Sequence, residues 1–391
     1  MDKPTDTIGN WSFPAPIRFG AGRISELPQA CLELGIHRPL LVTDPGLAAL
    51  PMVSEAVGTC VQAGLACAVF SDLRANPVEA NVHDGVAALR EGDHDGIIAF
   101  GGGSALDTGK AIGFMAAQLR PIWDFEDRED WWTRAEEDGL APVVAVPTTS
   151  GTGSETGRAS VITDTRAEHT KRIIFHPRMM PGRVILDPEL TAGLPAHLTA
   201  AVGMDALSHS LEAYSSPVFH PLAQGIALEA MRLVRDALPV AVKFPSDLAA
   251  RSRMQVAAAM GSTAFQKGLG AMHALSHPCS SLLDTHHGLT NAVVMPYVLV
   301  FNRPAIETKM AALARYLDLP DPSFSGVLDW ILALREEIGI PHTLRDIGVD
   351  ASFARRMAPM AAVDPSAATN PIPLDTGALE RLYLRAIDGV L

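Results

Sequence analysis

The chain has 391 residues, 48% hydrophobic and 19% charged, which excludes disorder as the main state and supplies enough apolar side chains for large cores. At roughly 150 residues per domain, that length implies two domains. With 31 basic against 44 acidic residues the formal net charge is −13, a poor match for nucleic acid or an anionic membrane surface.

Residues 1–10 are polar and lack the apolar core of a signal peptide. Segment 11–22 alternates like a strand between turn residues, and a small edge hairpin is expected there. Four continuous apolar runs follow: RPLLVT at 38–43, ACAVF at 66–70, GIIAF at 96–100 and PVVAV at 142–146. Each is five or six residues long and ends at a turn signal, the pattern of buried parallel strands. Helical segments at 52–63 and 78–89 lie between them, so a doubly wound α/β sheet is expected. An acidic stretch at 124–138, with eight carboxylates and two arginines, reads as a solvated surface helix or loop.

The character changes at 188–195. Beyond it alanine, leucine and methionine dominate, and 198–215, 222–237, 247–263 and 322–338 show helical spacing. The expected division is an α/β domain over 1–190 and an all-α domain over 191–391. The longest apolar stretch, 292–301, contains Pro296 and is too short to span a bilayer. Cys31, Cys60, Cys67 and Cys279 are too sparse for a disulfide framework. They read as reduced thiols in a soluble, cytoplasmic protein.

Four constellations carry chemistry. GGGSALDTGK at 101–110 follows a strand and opens a helix, where free N–H groups and the helix dipole suit a pyrophosphate. Its spacing is neither GxGxxG nor a P-loop. PTTSGTGSE at 147–155 also follows a strand and offers hydroxyl and backbone donors at the sheet end where open α/β folds bind ligands. Asp44, at the end of the first apolar run, is placed to bond ribose hydroxyls and repel a 2′-phosphate, or simply to cap a turn before Pro45. Finally, six of the 13 histidines lie between His209 and His287. Asp205 and His209 are four apart on one helix and His273 and His277 four apart on another, with His286 and His287 following. Carboxylate plus imidazole suits iron or zinc. Spacing alone favours His273 with His277 as a ligand pair and does not choose between His286 and His287.

These motifs together resemble the iron-containing (group III) alcohol dehydrogenase family over nearly the whole chain. The resemblance runs from Phe19-Gly20-Ala21-Gly22 through the two loops, Asp187-Pro188-Glu189-Leu190, Met204-Asp205-Ala206-Leu207-Ser208-His209, His273-Ala274-Leu275-Ser276-His277-Pro278 and His287-Gly288-Leu289-Thr290-Asn291-Ala292 to Asn370-Pro371. It implies a Rossmann-like domain that binds NAD and a helical domain that holds Fe²⁺ or Zn²⁺, the architecture also seen in dehydroquinate synthase-like proteins. The family's ligands fall on Asp205, His209, His273 and His287, and His277 on the position beside the nicotinamide. Cofactor positions fall on Asp44, Asn76, Gly103, Ser104, Asp107, Thr148, Thr149, Lys171 and Leu190. The implied partner is a small alcohol or aldehyde, and the implied assembly a homodimer or larger homo-oligomer.

The chain departs from the family pattern at Cys279 and Ser280, in a segment 265–270 one residue shorter than usual, and at Ile372 after Asn370-Pro371. The first two departures lie close to the expected substrate pocket. Lys267 would favour an anionic substrate if it faced that pocket, but reads as a surface lysine. The expected activity is hydride transfer between a primary alcohol and a nicotinamide cofactor. The alternatives are a zinc-dependent glycerol dehydrogenase-like or dehydroquinate synthase-like relative, and a non-catalytic nucleotide- or metal-binding protein.

Overall fold

The apolar runs of the first half become strands of one parallel sheet. The computed structural model describes residues 15–166 and 170–391. The sheet strands are β1 (Ile17–Phe19), β2 (Pro39–Val42), β3 (Ala68–Phe70), β4 (Gly96–Gly101), β5 (Val143–Pro147) and β8 (Arg183–Leu186), in the order β1-β8-β5-β4-β2-β3. Every pairing is parallel. β2, β4 and β5 are buried along their whole length, which is why they read as continuous rather than alternating runs. An antiparallel hairpin of β6 (Ala159–Asp164) and β7 (Thr170–Phe175) precedes β8.

Helices α1 (Leu27–Glu33) and α3 (Pro51–Gln62) cover one face of the sheet, sharing a core with Leu41, Ile98, Phe100, Val144 and Ile185. The short α2 (Pro45–Ala48) precedes α3. α4 (Glu79–Glu91) and α5 (Gly103–Met115) follow β3 and β4. α5 lies on the opposite face, so close to β4 that a Cβ on Gly109 would stand 2.6 Å from Ala99 Cβ. The chain passes from β2 outward to β3, then returns to place β4 on the other side of β2. In open α/β sheets such a reversal marks where ligands bind, outside the carboxyl ends of the two strands concerned, here β2 and β4.

Two expectations change. Residues 11–14 of the expected hairpin lie outside the described residues, and the remainder forms a parallel edge strand with Ile17 opposite Val184. The acidic stretch is tied to the β6–β7 hairpin rather than fully solvated: Glu126 is buried and accepts from Arg172 Nη1 at 2.7 Å.

The chain divides into two compact units, the second beginning at Leu194. It contains α6 (Ala196–Ser215), α7 (Pro221–Lys243), α8 (Leu248–Ala264), α9 (Ala271–Leu283), α10 (His287–Tyr316), α11 (Phe324–Glu337), α12 (Ala351–Ala362) and α13 (Thr376–Asp388). Met204, Leu207, Leu211, Leu238, Met254, Leu275 and Val294 are among the side chains of its core. α10 continues for 30 residues through Pro296 and Pro304, a length the proline-interrupted sequence conceals. Among the described residues, no helix is long and apolar enough to cross a membrane.

Candidate cation and dinucleotide sites

Three helices of the second unit bring the cation donors together. α6 presents Asp205, α9 presents His273, and α10 begins at His287. Each offers one donor atom, and these atoms all lie within 4.8 Å of one another. Asp205 Oδ1 is 3.7 Å from His287 Nε2. The approach of α10 to α6 depends on Gly288, where a Cβ would stand 2.6 Å from Ala201 O and 3.0 Å from Asp205 Cβ. His209 lies beside this trio, its ring stacked on that of His273 with centroids 4.8 Å apart.

The far nitrogens of two of these rings are held. Glu212 Oε2 accepts from His273 Nδ1 at 2.6 Å, while its Oε1 accepts from Met272 N at 2.6 Å. Ser276 Oγ is 3.2 Å from His287 Nδ1. Burial alone would lower the His273 pKa, but the Glu212 bond and the charges of Glu212, Asp205 and Asp364 outweigh it and raise it.

Asn291 Nδ2 stands 2.9 Å from Asp205 Oδ1, 3.3 Å from His273 Nε2 and 3.2 Å from His287 Nε2. One amide nitrogen has two hydrogens for these three acceptors. The Asn291 Oδ1 is buried without a hydrogen-bond partner. Converging acceptors of carboxylate and imidazole type, short of donors, fit a divalent first-row cation.

His277 lies one turn beyond His273 on α9 but outside the trio, so the HxxxH pairing is not the one the helix geometry makes. Its Nδ1 is 2.7 Å from Asp364 Oδ2, and its ring stacks on that of His287 at 5.2 Å. His286 is the N-cap of α10, accepting from Leu289 N at 3.3 Å. His220 caps α7 in the same way, accepting from Ala223 N at 3.2 Å. The start of α9 is held by Asn370, whose Oδ1 accepts from Ala271 N at 3.1 Å and from Asn302 Nδ2 at 2.9 Å. Asn370 Nδ2 donates in turn to Asn302 Oδ1 and Ile372 O.

In the α/β unit most of the expected cofactor positions follow the carboxyl ends of strands; Lys171, within β7, does not. Asp44 follows β2 and caps α2, its Oδ1 accepting from Leu47 N at 2.9 Å. Gly103 opens α5, whose N-terminus has no side-chain cap, so its first N–H groups remain available to an anion. Ser104 Oγ donates to Ala75 O at 2.5 Å, drawing the loop of Asn76 towards α5. Thr148 and Thr149 follow β5, with Thr148 N donating to Gly101 O at 3.0 Å. Lys171 is half-buried on β7, and Leu190 is buried in the core shared with α1 and α3.

Asp107 has both oxygens engaged, one with Ser154 Oγ at 2.5 Å and one with Val161 N at 3.0 Å. It braces the 147–155 loop against α5. Lys110 does the same by donating to Ser154 O at 2.9 Å and to Ala159 O. Sequence reasoning missed Lys110, Glu212, Asp364 and Asn302. A buried charge within a glycine-rich motif was a signal for the first; the others depend on contacts between distant segments.

Two residues near the expected pocket are occupied elsewhere. Cys279 is buried against Met357, with Sγ 3.7 Å from Sδ, and burial pushes its thiol up to about 12. Lys267 is only 2% exposed, not a surface lysine, and its ammonium donates to Ser216 O at the end of α6.

Comparison with known proteins gives the family. Residues 14–188 match the family model described as iron-containing alcohol dehydrogenase, and residues 199–387 match the C-terminal model of the Fe-containing alcohol dehydrogenase family. The chain is 39% identical over 365 residues to a 4-hydroxybutyrate dehydrogenase of Cupriavidus necator, covering 91% of this chain and 94% of that one. Among solved structures, a 1,3-propanediol oxidoreductase is similar with a TM-score of 0.92 and 35% identity, covering 97% of this chain and all of that one. Sulfoacetaldehyde reductase from Bifidobacterium kashiwanohense, solved in complex with NAD+, has a TM-score of 0.86 and 27% identity, covering 97% and 98% of the two chains. From the parallel sheet with its glycine-rich loops, the helical unit with its carboxylate–imidazole trio and the match of both halves, the chain belongs to the iron-containing alcohol dehydrogenase family.

Proposed function

We propose that this oxidoreductase interconverts a small primary alcohol and its aldehyde, with NAD as hydride partner and Fe²⁺ or Zn²⁺ held by Asp205, His209, His273 and His287. The observation that carries this is the convergence of Asp205, His273 and His287 within 4.8 Å. When bound, the cation supplies Lewis-acid polarisation of the substrate oxygen and the dinucleotide supplies the hydride acceptor. The remaining work belongs to the chain. Glu212 accepts the Nδ1 proton of His273 and so keeps the Nε2 lone pair available, and Ser276 orients His287. The uncapped start of α5 and the loop after β5 receive the pyrophosphate, with Asn76, Gly103, Ser104, Thr148, Thr149, Lys171 and Leu190 around the dinucleotide. Asp44 bonds the ribose through the oxygen not spent on its cap. Asp107 supports these loops from behind. His277 stands at the nicotinamide.

Relatives named for 4-hydroxybutyrate and 1,3-propanediol make ω-hydroxy acids and diols the first substrates to test. Lys267 does not favour the acid, because its ammonium is spent on Ser216 O. The test is a panel of alcohols and aldehydes followed at the NADH absorbance band, with the bound metal identified by elemental analysis. Turnover of a primary alcohol that stops on chelation and returns with Fe²⁺ or Zn²⁺ is expected. Undiminished turnover after complete metal removal would overturn the reading.

A homodimer or larger homo-oligomer is the assembly we propose. It is supported by the edge strand β1, where Ile17 is 38% and Phe19 42% exposed; light scattering on the purified chain tests it. The free thiols of all four cysteines support a cytoplasmic location.

A further inference from the structure

We propose that Asp364 is a positioning residue for this reaction: by accepting the Nδ1 proton of His277 it fixes the imidazole as the tautomer whose Nε2 is a hydrogen-bond acceptor. The proposal rests on the reading of His277 as the residue at the nicotinamide, and it states what chemistry that residue presents there.

Asp364 lies 87 residues from His277 in sequence, yet its Oδ2 is 2.7 Å from His277 Nδ1. Its Oδ1 is already committed, accepting from Ser366 N at 2.9 Å to cap the 3-10 turn Pro365–Thr369. The side chain of Asp364 is 8% exposed. A backbone N–H can only donate, so Oδ1 must accept. A carboxylate can only accept when ionised, so the ring must donate through Nδ1, and in the neutral imidazole this leaves Nε2 as the acceptor. Burial would push the Asp364 carboxyl up, but its contacts with His277 and the Ser366 bond hold it below its ordinary value, in the ionised form. The plane of the His277 ring is fixed independently by its stack on His287, at 5.2 Å between centroids and 15° between planes. Packing therefore sets the plane, and Asp364 sets which edge carries the proton.

The consequence is selective. A group meeting His277 Nε2 must bring a hydrogen: an alcohol or ribose hydroxyl, or the amide nitrogen of a carboxamide. A carbonyl oxygen finds no donor there. Asp364→Asn is the informative change, because an amide has one acceptor and one donor end while the site has two donors to satisfy. If the oxygen keeps the Ser366 cap, the amide N–H₂ faces Nδ1 and drives the ring to the opposite tautomer.

The experiment is ¹⁵N–¹H long-range NMR of ¹⁵N-histidine-labelled protein, with the His277 signals assigned by their loss in His277→Ala, alongside steady-state kinetics and cation content. In the wild-type protein His277 is expected to carry its proton on Nδ1. In Asp364→Asn the proton moves to Nε2, kcat for alcohol oxidation falls roughly 100-fold, and bound cation per chain is unchanged. Asp364→Glu, which keeps two acceptors, restores the wild-type tautomer and part of the rate. A wild-type spectrum with the proton on Nε2 overturns the proposal even if neither variant folds. An Asp364→Asn protein with wild-type tautomer and kcat also overturns it. If His277→Ala turns over at the wild-type rate, the reading of His277 itself falls and takes this proposal with it. Loss of activity in His277→Ala with an unaffected Asp364→Asn removes only the positioning role.

Discussion

Glu212 and His273 form a carboxylate–imidazole pair 2.6 Å apart, both side chains buried, and the second oxygen of the same carboxylate takes the backbone N–H of Met272. One acidic side chain thus fixes both the tautomer of His273 and the backbone that carries it. Replacing Glu212 by Gln leaves one acceptor for two N–H groups. Cation affinity is expected to fall about 10- to 100-fold, measured by competition with a chelator, while the far-UV circular dichroism spectrum is retained.

His273→Ala removes a donor from the centre of the trio. Bound metal and alcohol turnover are expected to disappear together, with the helical fold intact by circular dichroism. Full turnover in a metal-depleted His273→Ala protein would exclude the cation from the reaction.

Asp44 has two functions that a single substitution separates. Its Oδ1 caps α2, and loss of such a cap costs about 1 kcal/mol. Asp44→Asn keeps the cap and removes the charge. The ratio of kcat/KM for NAD over that for NADP is expected to fall, with little change in thermal midpoint. An unchanged ratio would assign Asp44 to the cap alone.

Lys267 provides a pH signature. Burial, with the nearby Lys309 charge adding to it, lowers its pKa from 10.5 to about 7. Between those values the unfolded chain binds the extra proton, so stability rises with pH across that window. Below about 7 both states are protonated and the contribution is constant. From pH 7 to 8.5 the urea midpoint of the wild-type protein is expected to rise more steeply than that of Lys267→Met. Parallel slopes would show that Lys267 stays charged when folded.

The inner strands β2, β4 and β5 were legible because they are buried along their whole length, so runs such as GIIAF read as strands once turn residues bound them, whereas the part-exposed edge strand β1 read as half of a hairpin. The β6–β7 hairpin was not legible, because its buried and half-buried positions mix and the bonds of Arg172 to Asp164 and Glu126 join segments apart in sequence. In the helical unit, local spacing found Asp205 and His273 but did not separate His287 from His286; the family resemblance chose His287, and the fold gives the physical reason, since His286 caps α10. Likewise His273 and His277 look equivalent along one helix. They differ because His273 offers a donor atom to the group made with Asp205 and His287, segments distant in sequence, while His277 lies outside that group. The prolines of α10 hid the longest helix, since an isolated proline usually ends one.

The carboxamide pair of Asn302 and Asn370 makes the cation site depend on residues remote from it. Asn370 accepts the N–H of Ala271 across 99 residues, and Thr369 donates to Leu269 O across 100. The start of the helix that carries His273 is therefore held by a segment far away in sequence. A substitution at Asn370 would act on the cation site without touching any of its donor atoms.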